Sequence, residues 1–427
     1  MGKLLRFIMG LFIILAYSSG IYGQINFNYL FDQAISHNPE LLSLKATHEY
    51  LLLEASKIKA ETNSPRAFVS SEVLFAPYLN NKGNFISTEP QESAIGYDVG
   101  ITNGGLYSLL LNAEMPVLNR NQTNNLLEQN NLEMTKTETQ IKTLLHNIKH
   151  TLALQYLDAL ISQTEYQTLK ENLTLLKQQL NLTQSLTKHG LYHYIDFRLL
   201  QTAYIADSIN LEQTIATYHL KMGQLKTYCG IPDTGNYQLD DYSPDINHIR
   251  TDTSIFLQPY VEDSLSAVYQ QKVFENQYKP QLKVYANTGL NSASLPTLGN
   301  HFGMSAGVQL SYTIFDGKQK QINHQQQLVL MEDASKERDL KKSELQNQQA
   351  SFLNALQSLN ASIVGEEKLQ KDYEEILGIY NDELQKAQVT MNEYLNFIQR
   401  CNQNKLTLAQ HKIERSKLIV EYNYWNY

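Results

Sequence analysis

Cysteine and tryptophan are scarce in this chain of 427 residues, which contains two cysteines and one tryptophan. The repeat described below places Cys229 and Cys401 at different levels of a long helical body, so we expect two free, packed thiols rather than a disulfide. Proline and glycine number 10 and 20, and no stretch is rich enough in either to form a flexible linker. The composition is therefore that of an ordered protein.

Positive charge is also limited, since 35 basic residues face 43 acidic ones, a formal charge of −8. No basic tract or basic patch with interleaved aromatic residues occurs, so no nucleic-acid partner is expected. Phosphate-binding loops, Gly-x-Ser-x-Gly and paired-cysteine motifs are missing, so we predict no catalytic residue, no cofactor and no enzyme activity. His146 and His150 have a spacing that can bind a metal ion, but no third ligand is evident, and a packed or solvated pair is expected.

A single long apolar run occurs, and it lies at the N terminus. Lys3 and Arg6 precede the apolar residues 7–16, and small and polar residues follow to Gly23. This layout predicts a secretory signal peptide, residues 1–23, with a retained short anchor helix as the alternative. No second run of about 18 apolar residues follows, so any membrane-spanning part of the mature chain must consist of strands.

Two segments predict very long helices. The first runs from Arg120 to about Lys188 without proline or glycine, and the second runs from Lys318 to about Gln388 without proline. Apolar residues recur in them at spacings of three and four, which indicates a packed face. A return helix is predicted after each, over Asp196–Tyr228 and Tyr394–Tyr424. An N-terminal helix is predicted near Tyr29 to Thr62. A soluble coiled-coil rod is the alternative interpretation of such helices.

The order of these elements repeats. Tyr194-Ile195-Asp196-Phe197 recurs 200 residues later as Tyr394-Leu395-Asn396-Phe397, and Pro116-Val117-Leu118-Asn119 has a counterpart 197 residues later in Thr313-Ile314-Phe315-Asp316. We interpret residues 24–230 as a first repeat, 231–258 as an equatorial linker and 259–427 as a second repeat.

Alternating strands precede each long helix. Apolar residues occupy every second position from Phe302 to Ile314, and the same alternation runs from Tyr107 to Val117. Such strands are typical of membrane barrels with a polar interior, although a half-buried soluble sheet alternates in the same way. The predicted lipid-facing residues are Phe302, Met304, Val308, Leu310 and Tyr312. Val308 and Leu310 are expected to flank the mid-membrane band, with Gln309 in the lumen. Four strands per chain cannot enclose a pore, so an oligomer is required.

The order of signal peptide, helix, strand pair, long helix, tip and return helix, present twice, resembles the TolC family of outer-membrane efflux proteins. The junctions at residues 116–119 and 314–317 and the tip sequence 190–197 with its repeat carry the resemblance. It implies a mainly α fold with β strands, in which a long helical barrel in the periplasm joins a trimeric 12-stranded outer-membrane barrel. The second tip has Thr390 where the family usually has glycine.

The resemblance also implies the function and the partners. The chain would be a homotrimeric duct in outer-membrane lipid, passing drugs, toxic compounds or metal ions from a periplasmic adaptor and an inner-membrane transporter. The tip residues expected to form the entrance and the docking site are Gly190, Tyr194, Asp196, Phe197, Thr390, Tyr394, Asn396 and Phe397. A periplasmic adaptor remains the alternative from another class, but it would have a single hairpin.

The two tips differ in charge, and Asp196 and Asn396 are expected at equivalent places. Residues 366–386, before the second tip, carry seven acids and three bases, whereas residues 168–188, before the first, carry one acid and three bases. The acids either attract the neighbouring hairpin or form rings that favour cations near the entrance. Asp196 either lines that entrance or caps the returning helix.

Overall fold

A computed structural model of the chain describes residues 23–87, 89–97, 107–232, 235, 237–247 and 254–427. The predicted signal peptide lies, apart from Gly23, outside these ranges. Within them, the structure contains no helix whose length and apolarity would let it span a membrane.

The described ranges contain seven α-helices and six strands. The strands are β1 (Gly23–Ile25), β2 (Arg66–Val73), β3 (Tyr107–Pro116), β4 (Tyr237–Leu239), β5 (Gln281–Ser292) and β6 (Phe302–Ser311). The helices are α1 (Phe27–His37), α2 (Pro39–Asn63), α3 (Arg120–Lys188), α4 (Tyr194–Tyr228), α5 (Gln258–Glu275), α6 (Gln319–Gln385) and α7 (Met391–Trp425). Short 3-10 turns lie at Ile255–Leu257, Asn276–Tyr278 and Leu295–Asn300.

The long helices confirm the sequence prediction. Helix α3 has 69 residues and α6 has 67, and both begin within a residue or so of the predicted start. Helix α4 stops where Gly230 takes a left-handed φ of 66°, with its N–H donating to the Thr227 carbonyl at 3.1 Å. Glycine adopts this conformation without a steric penalty, which explains the predicted stop before Pro232.

The N-terminal helix, in contrast, is divided in two. The sequence predicts one helix over Tyr29–Thr62, but α1 ends at His37 and α2 begins at Pro39. Proline lacks the N–H that would continue α1 and disfavours helical geometry in the residue before it. The side chain of Asn38, which is in extended conformation, accepts from the Leu41 N–H at 2.9 Å and caps α2.

Four strands form one antiparallel sheet in the order β2-β3-β5-β6. Its register gathers the alternating apolar residues on one face, where Ala67, Ala113, Ala286 and Ala306 form one cross-strand row. The opposite face is mostly polar and includes a Lys283–Glu114 ion pair. Since a shift of one residue would exchange the faces, this register confirms the predicted alternation.

Glycine is required at one point of the polar face. The ring of Tyr285 lies over Gly307, the residue opposite it on β6. A Cβ at Gly307 would come 2.5 Å from the Tyr285 hydroxyl oxygen. The glycine therefore lets the Tyr285 ring lie close over the backbone of β6.

The two strand-to-helix junctions are held by different hydrogen bonds. Asp316 follows β6, and its carboxylate accepts from the N–H groups of Lys318 and Lys320, both at 2.8 Å. The hydrogen bond from Lys320, together with one from the Tyr278 hydroxyl, holds the pKa of Asp316 below its usual value. At the equivalent first junction, the Asn119 side chain donates to the Thr62 carbonyl and its carbonyl accepts from Thr123 N–H at 2.8 Å.

The chain forms two compact units. The strand unit comprises Lys45–Thr139 and Gln258–Arg338, and the hairpin unit comprises the described parts of Met1–Leu44, Gln140–Leu257 and Asp339–Tyr427. The main core of the hairpin unit surrounds Leu152, Tyr156 and Leu157, which are almost fully buried. Each unit therefore draws on both halves of the sequence.

A short parallel pair, β1 with β4, lies beside this core. The amide of Gln163 makes two hydrogen bonds to Leu239 of β4, at 2.8 and 3.0 Å. The Tyr156 hydroxyl donates to the Asp240 carbonyl at 2.7 Å, and burial raises its pKa. Three-residue strands give too weak a pattern to be predicted, so this pair was absent from the sequence interpretation.

Both cysteines are free and buried, as predicted. Cys229 belongs to the main core of the hairpin unit, where burial raises the pKa of its thiol to about 12. Cys401 lies on α7, and burial raises its pKa as well.

Candidate functional site

The first tip joins α3 to α4 through Gly190, which has a φ of 77°. Its N–H donates to the Thr187 carbonyl at 3.1 Å, and the next N–H, of Leu191, donates to the Leu186 carbonyl at 3.0 Å. This pair of bonds satisfies the last carbonyls of α3 and is a Schellman motif. Helix α4 starts four residues after the glycine, at Tyr194.

The second tip has the same backbone, built around Ala387 with a φ of 55°. Ala387 N–H donates to the Leu384 carbonyl at 3.1 Å, and Gln388 N–H donates to the Glu383 carbonyl at 2.9 Å. Helix α7 then starts four residues after Ala387, at Met391. An alanine in the left-handed region is strained relative to glycine, so this tip stores a small conformational cost.

These matching bonds place the two tips 197 residues apart and correct the predicted offset of 200. Gly190 corresponds to Ala387, not Thr390, and Asp196 corresponds to Glu393, not Asn396. Helix α4, Tyr194–Tyr228, maps onto α7, Met391–Trp425, without insertion or deletion. The predicted alignment was wrong by three residues. Because three residues are nearly one helical turn, the matched residues still lie on a similar face of the helix.

Asp196 and Glu393 make equivalent capping bonds. The Asp196 carboxylate accepts from His193 N–H at 3.1 Å. The Glu393 carboxylate accepts from Thr390 N–H at 3.3 Å, while the Thr390 hydroxyl accepts from Glu393 N–H at 3.3 Å. This is the capping box that starts many helices. Thr390 is therefore an N-cap residue, and Asp196 performs the capping role considered for it.

Buried side chains connect the tips to each other within one chain. Tyr192, at the first tip, donates to the Val389 carbonyl at 2.7 Å. Tyr394 is fully buried and donates to the Asn381 side chain at 2.8 Å, and burial raises its pKa. Asn381 also accepts from Gln179 of the first hairpin at 3.3 Å. These bonds give the tips a shared, hydrogen-bonded core.

The remaining predicted tip residues divide by exposure. Tyr194 is 67% exposed, and the half-buried Phe197 lies beside it with ring centroids 6.2 Å apart. Phe397 stacks on Tyr380 at 4.9 Å, whereas Asn396 is exposed. Phe397 therefore packs within its own hairpin, and the eight predicted residues do not form one continuous surface.

The sequence interpretation missed an apolar patch on the first tip. Leu191, Tyr194, Ile195 and Leu199 are all 42–67% exposed. The corresponding residues of the second tip are Gln388, the buried Met391, Asn392 and Asn396. The available signal was the run of apolar letters on both sides of the helix start, which a soluble helix would normally bury. We call these four residues the first-tip patch.

Ion pairs also connect the two hairpins and their helices. Lys405 of α7 contacts Glu171 of α3 at 2.7 Å. In the acidic stretch before the second tip, Glu366 contacts His411 at 2.8 Å and Glu367 contacts Lys412 at 2.7 Å. The Lys405–Glu171 pair agrees with attraction between hairpins, and the Lys412–Glu367 pair neutralises part of the acidic stretch within its own hairpin.

The predicted lipid-facing residues share one face of the sheet. Phe302, Met304, Val308 and Leu310 alternate along β6 and are 65–84% exposed. Tyr312 lies one residue beyond the end of β6. Among the described residues, no group of three or more His, Cys, Asp or Glu side chains is arranged to hold a metal ion.

Comparison with known proteins gives a result for the fold alone. No protein-family model and no curated protein sequence matches the chain. The solved structure of CusC, described with transmembrane channel formation, superposes with a TM-score of 0.70 at 12% identity, covering 95% of this chain and 93% of CusC.

Two further structures agree over similar lengths. The outer membrane protein VceC from Vibrio cholerae matches with a TM-score of 0.66 at 14% identity, covering 94% of this chain and 96% of VceC. The Campylobacter jejuni outer membrane channel CmeC matches with a TM-score of 0.68 at 12% identity, covering 93% of this chain and 85% of CmeC. This chain therefore has the TolC-like fold of outer-membrane channel proteins, as the sequence predicts.

Proposed function

We propose that this chain is a channel subunit in the outer membrane and belongs to a tripartite efflux or secretion system. The observation that carries the proposal is the match over 95% of the chain to a transmembrane channel structure. The sheet with one apolar face supports it, because lipid contact requires such a face. The proposal assigns no catalytic role to the chain.

The edges of the sheet support assembly into a trimer. Strands β2 and β6 are the outer strands, and each has one side without a partner among the described residues. Backbone groups on such edges cannot remain unpaired in lipid. Three copies, pairing β2 of one with β6 of the next, would give the 12-stranded barrel that we propose, with the helical hairpins in the periplasm.

Two observations argue against the alternatives from other classes. A periplasmic adaptor would have one helical hairpin, whereas this chain has α3–α4 and α6–α7. A soluble coiled-coil rod would not be expected to contain a sheet with an exposed apolar face, and here Phe302, Met304 and Val308 are exposed on one face.

The decisive experiment is a deletion strain complemented with the gene on a plasmid. The strain would be screened against drugs, dyes, bile-type detergents and metal salts, and the protein would be followed by membrane fractionation. We expect increased sensitivity to at least one class, restored by the plasmid, and protein in the outer-membrane fraction. Protein found only in the soluble periplasmic fraction would contradict the proposal.

We propose that the first-tip patch docks the periplasmic adaptor, which in turn contacts an inner-membrane transporter. Ile195 is 62% exposed at the start of α4, so Ile195→Asp should weaken docking without disturbing a core. The matched control is Asn392→Asp, because Asn392 is the exposed equivalent position in the second tip. Site-directed cross-linking in cells should decrease for the first variant and persist for the second. Equal cross-linking of both would contradict docking through the patch.

A further inference from the structure

The hairpin unit contains a cleft of about 440 Å³, separate from the tips. Its lining includes Lys142, His146, Lys149 and His150 of α3, residues at the C-terminal end of α7, and residues of the segment from Tyr242 to Asn247. Spacings of three, four and seven place the four basic residues on a single face of α3. The volume lies in the range of ligand sites for small organic molecules.

Side-chain amides fix one wall of this basic cleft. The Asn423 amide donates to the Asp245 carbonyl at 2.7 Å, and its oxygen accepts from Asn247 N–H at 2.8 Å. Asn426 donates to the Asn247 carbonyl at 2.5 Å. The segment that lines the cleft is therefore held to α7 by three hydrogen bonds, so the cavity has a defined shape without a ligand.

Aromatic rings form the interior. The His146 ring stacks on Tyr427 with centroids 4.1 Å apart and on Tyr424 at 4.9 Å. His150 stacks on the same Tyr424 at 4.2 Å. His146 Nε2 donates to the Tyr424 carbonyl at 2.9 Å, which fixes the plane of its ring. These rings cover one another, and Tyr427, which is 43% exposed, leaves ring surface that a planar ligand can contact.

Two lysines belong to the lining. Lys142 and Lys149 are exposed, and within the described part of the chain neither forms an ion pair within 4 Å. Asp245 is the single acidic side chain among the lining residues, and the terminal carboxyl oxygen of Tyr427 accepts from Ile255 N–H at 3.1 Å. Glu421 lies nearby but contacts His150 at 3.1 Å. Two ammonium groups without a carboxylate partner, seven residues apart on one helix face, provide an attachment point for an anion.

We propose that the basic cleft binds a small organic anion that carries an aromatic ring. The ring would stack beside Tyr424 and Tyr427, and a carboxylate or sulfonate would meet Lys142 and Lys149. Such a ligand satisfies both features of the cleft, the exposed ring of Tyr427 and the two lysines without an ion-pair partner. This site goes beyond the proposed channel function and does not depend on it.

The test uses the full-length protein, purified in a neutral detergent, and equilibrium dialysis against 2-naphthoate with a detergent-only compartment as the blank. We expect saturable binding by the wild type. The double variant Lys142→Gln/Lys149→Gln should bind about tenfold more weakly, which corresponds to about 1.4 kcal/mol. Because both lysines are exposed, the variant should fold normally, and emission of the single tryptophan, Trp425, checks this directly.

The chain offers a matched control on the same helix. Lys170 and Lys177 are also exposed and have the same spacing of seven residues, so Lys170→Gln/Lys177→Gln makes the same charge change away from the cleft. Its affinity should equal that of the wild type. A neutral probe with the same ring system, 2-naphthamide, should bind about tenfold more weakly than 2-naphthoate.

Three results would overturn the proposal. The first is an absence of saturable binding to the wild type above the detergent blank. The second is equal loss of affinity in the two double variants, which would reflect overall charge. The third is equal binding of 2-naphthoate and 2-naphthamide, which would show an apolar site without anion recognition. Because no channel activity is measured, none of these results bears on the proposed channel function.

Discussion

His146 is a histidine held in its neutral form by its surroundings. Burial lowers its pKa below the usual value of 6.5, and the nearby His150 and Lys149 lower it further, while the hydrogen bond to the Tyr424 carbonyl acts in the opposite direction. A neutral imidazole stacks on the tyrosines without a desolvated charge. The unfolded chain, in contrast, would take up a proton near pH 6.5.

The pH dependence of stability follows from this difference. Because the pKa of His146 is lower in the folded than in the unfolded chain, its contribution to the free energy of unfolding is complete above about pH 6.5. That contribution is lost as the pH falls through the folded pKa. We expect the denaturation midpoint, followed by Trp425 fluorescence, to decrease in acid, and His146→Gln to remove that component. Trp425 is a suitable reporter because its ring lies 4.9 Å from that of Tyr424. An unchanged pH profile in His146→Gln would contradict this assignment, and His189→Gln at the exposed tip serves as the control.

The two tip acids give a prediction that separates the two alignments. Replacing Asp196 or Glu393 with alanine removes a carboxylate that accepts a backbone N–H, so each should destabilise its tip by about 1 kcal/mol. Asn396→Ala removes no backbone hydrogen bond and should be nearly neutral. Hydrogen exchange at the first turns of α4 and α7 is the measurement. If Asn396→Ala had the effect expected for Glu393→Ala, the offset of 200 residues would be right after all.

The same variants bear on the entrance role that the sequence left open for Asp196. A capping carboxylate can be replaced by asparagine, whose side-chain oxygen also accepts the His193 N–H. An entrance role would instead appear as altered conductance or cation preference of Asp196→Asn in planar bilayers. The hydrogen bond at 3.1 Å supports capping, and the entrance role stays a prediction.

Some tip residues were predictable and others were not, for a physical reason. Gly190 indicates a left-handed turn, because glycine adopts a positive φ without a steric penalty. Ala387 occupies the same conformation, and no sequence pattern marks an alanine that does so. Because the second tip has no glycine, the predicted alignment depended on the similarity of Tyr394–Phe397 to residues 194–197. That similarity aligns the second tip three residues, nearly one helical turn, away from its structural equivalent.

At the scale of elements, the sheet makes the sharpest prediction. Strand β6 runs from Phe302 to Ser311, so Ala306 is near its middle and Leu310 is near its end. The sequence placed Val308 and Leu310 on either side of the mid-membrane band, but the register pairs Leu310 with Leu282, the second residue of β5. If this row faces lipid as proposed, its middle is therefore shifted toward Ala306.

Arginine substitutions test this assignment. Ala306→Arg should impair assembly by about 2–4 kcal/mol if Ala306 lies at mid-depth, and Leu310→Arg should cost less because it is closer to the interface. Ser305→Arg, on the polar face, is the matched neighbour and should be tolerated best. Folded protein recovered from outer membranes, measured by heat-modifiable gel mobility, gives the ranking. Equal recovery of Ala306→Arg and Ser305→Arg would argue against a lipid-facing row.

Sequence predicted the helices better than the short elements. Helices α3 and α6 were recognisable because about 70 residues without proline leave the helical pattern uninterrupted. The break between α1 and α2 was missed, although Pro39 marks it, because apolar spacing continues on both sides. The β1–β4 pair depends on Gln163 and Tyr156, which lie far away in the chain, and no local pattern could reveal it.

At the scale of the whole molecule, the fold was predicted from the order of the helices and strands and not from individual residue identities. Identities of 12–14% accompany TM-scores of 0.66–0.70, so few individual residues are shared with those channels. In this chain the superposed backbone is a succession of two strands, a long helix, a turn and a return helix, present twice. Hydrophobic periodicity and helix length predict that succession, whereas the proposed docking role of the first-tip patch depends on individual surface residues.

The oligomer can be tested through the outer strands of the sheet. Ser70 of β2 and Ser305 of β6 lie on the same polar face, on the two outermost strands. Three strand spacings, about 14 Å, separate those strands within one chain. A disulfide needs Cα atoms closer than about 7 Å, so Ser70→Cys and Ser305→Cys cannot join within a chain.

In a closed trimer, however, β2 of one copy pairs with β6 of the next, and the two cysteines can meet. Oxidation of the Ser70→Cys/Ser305→Cys protein in membranes should give dimers and trimers on a denaturing gel and no larger species, because the ring closes. Since the exact register between copies is set at assembly, Gly303→Cys with Ser70→Cys is a second pairing to test. Each single variant is the control and should remain monomeric on the gel, because the native thiols Cys229 and Cys401 are buried. Both pairings yielding only monomers would contradict the trimer, and a ladder extending beyond three would show an open assembly in its place.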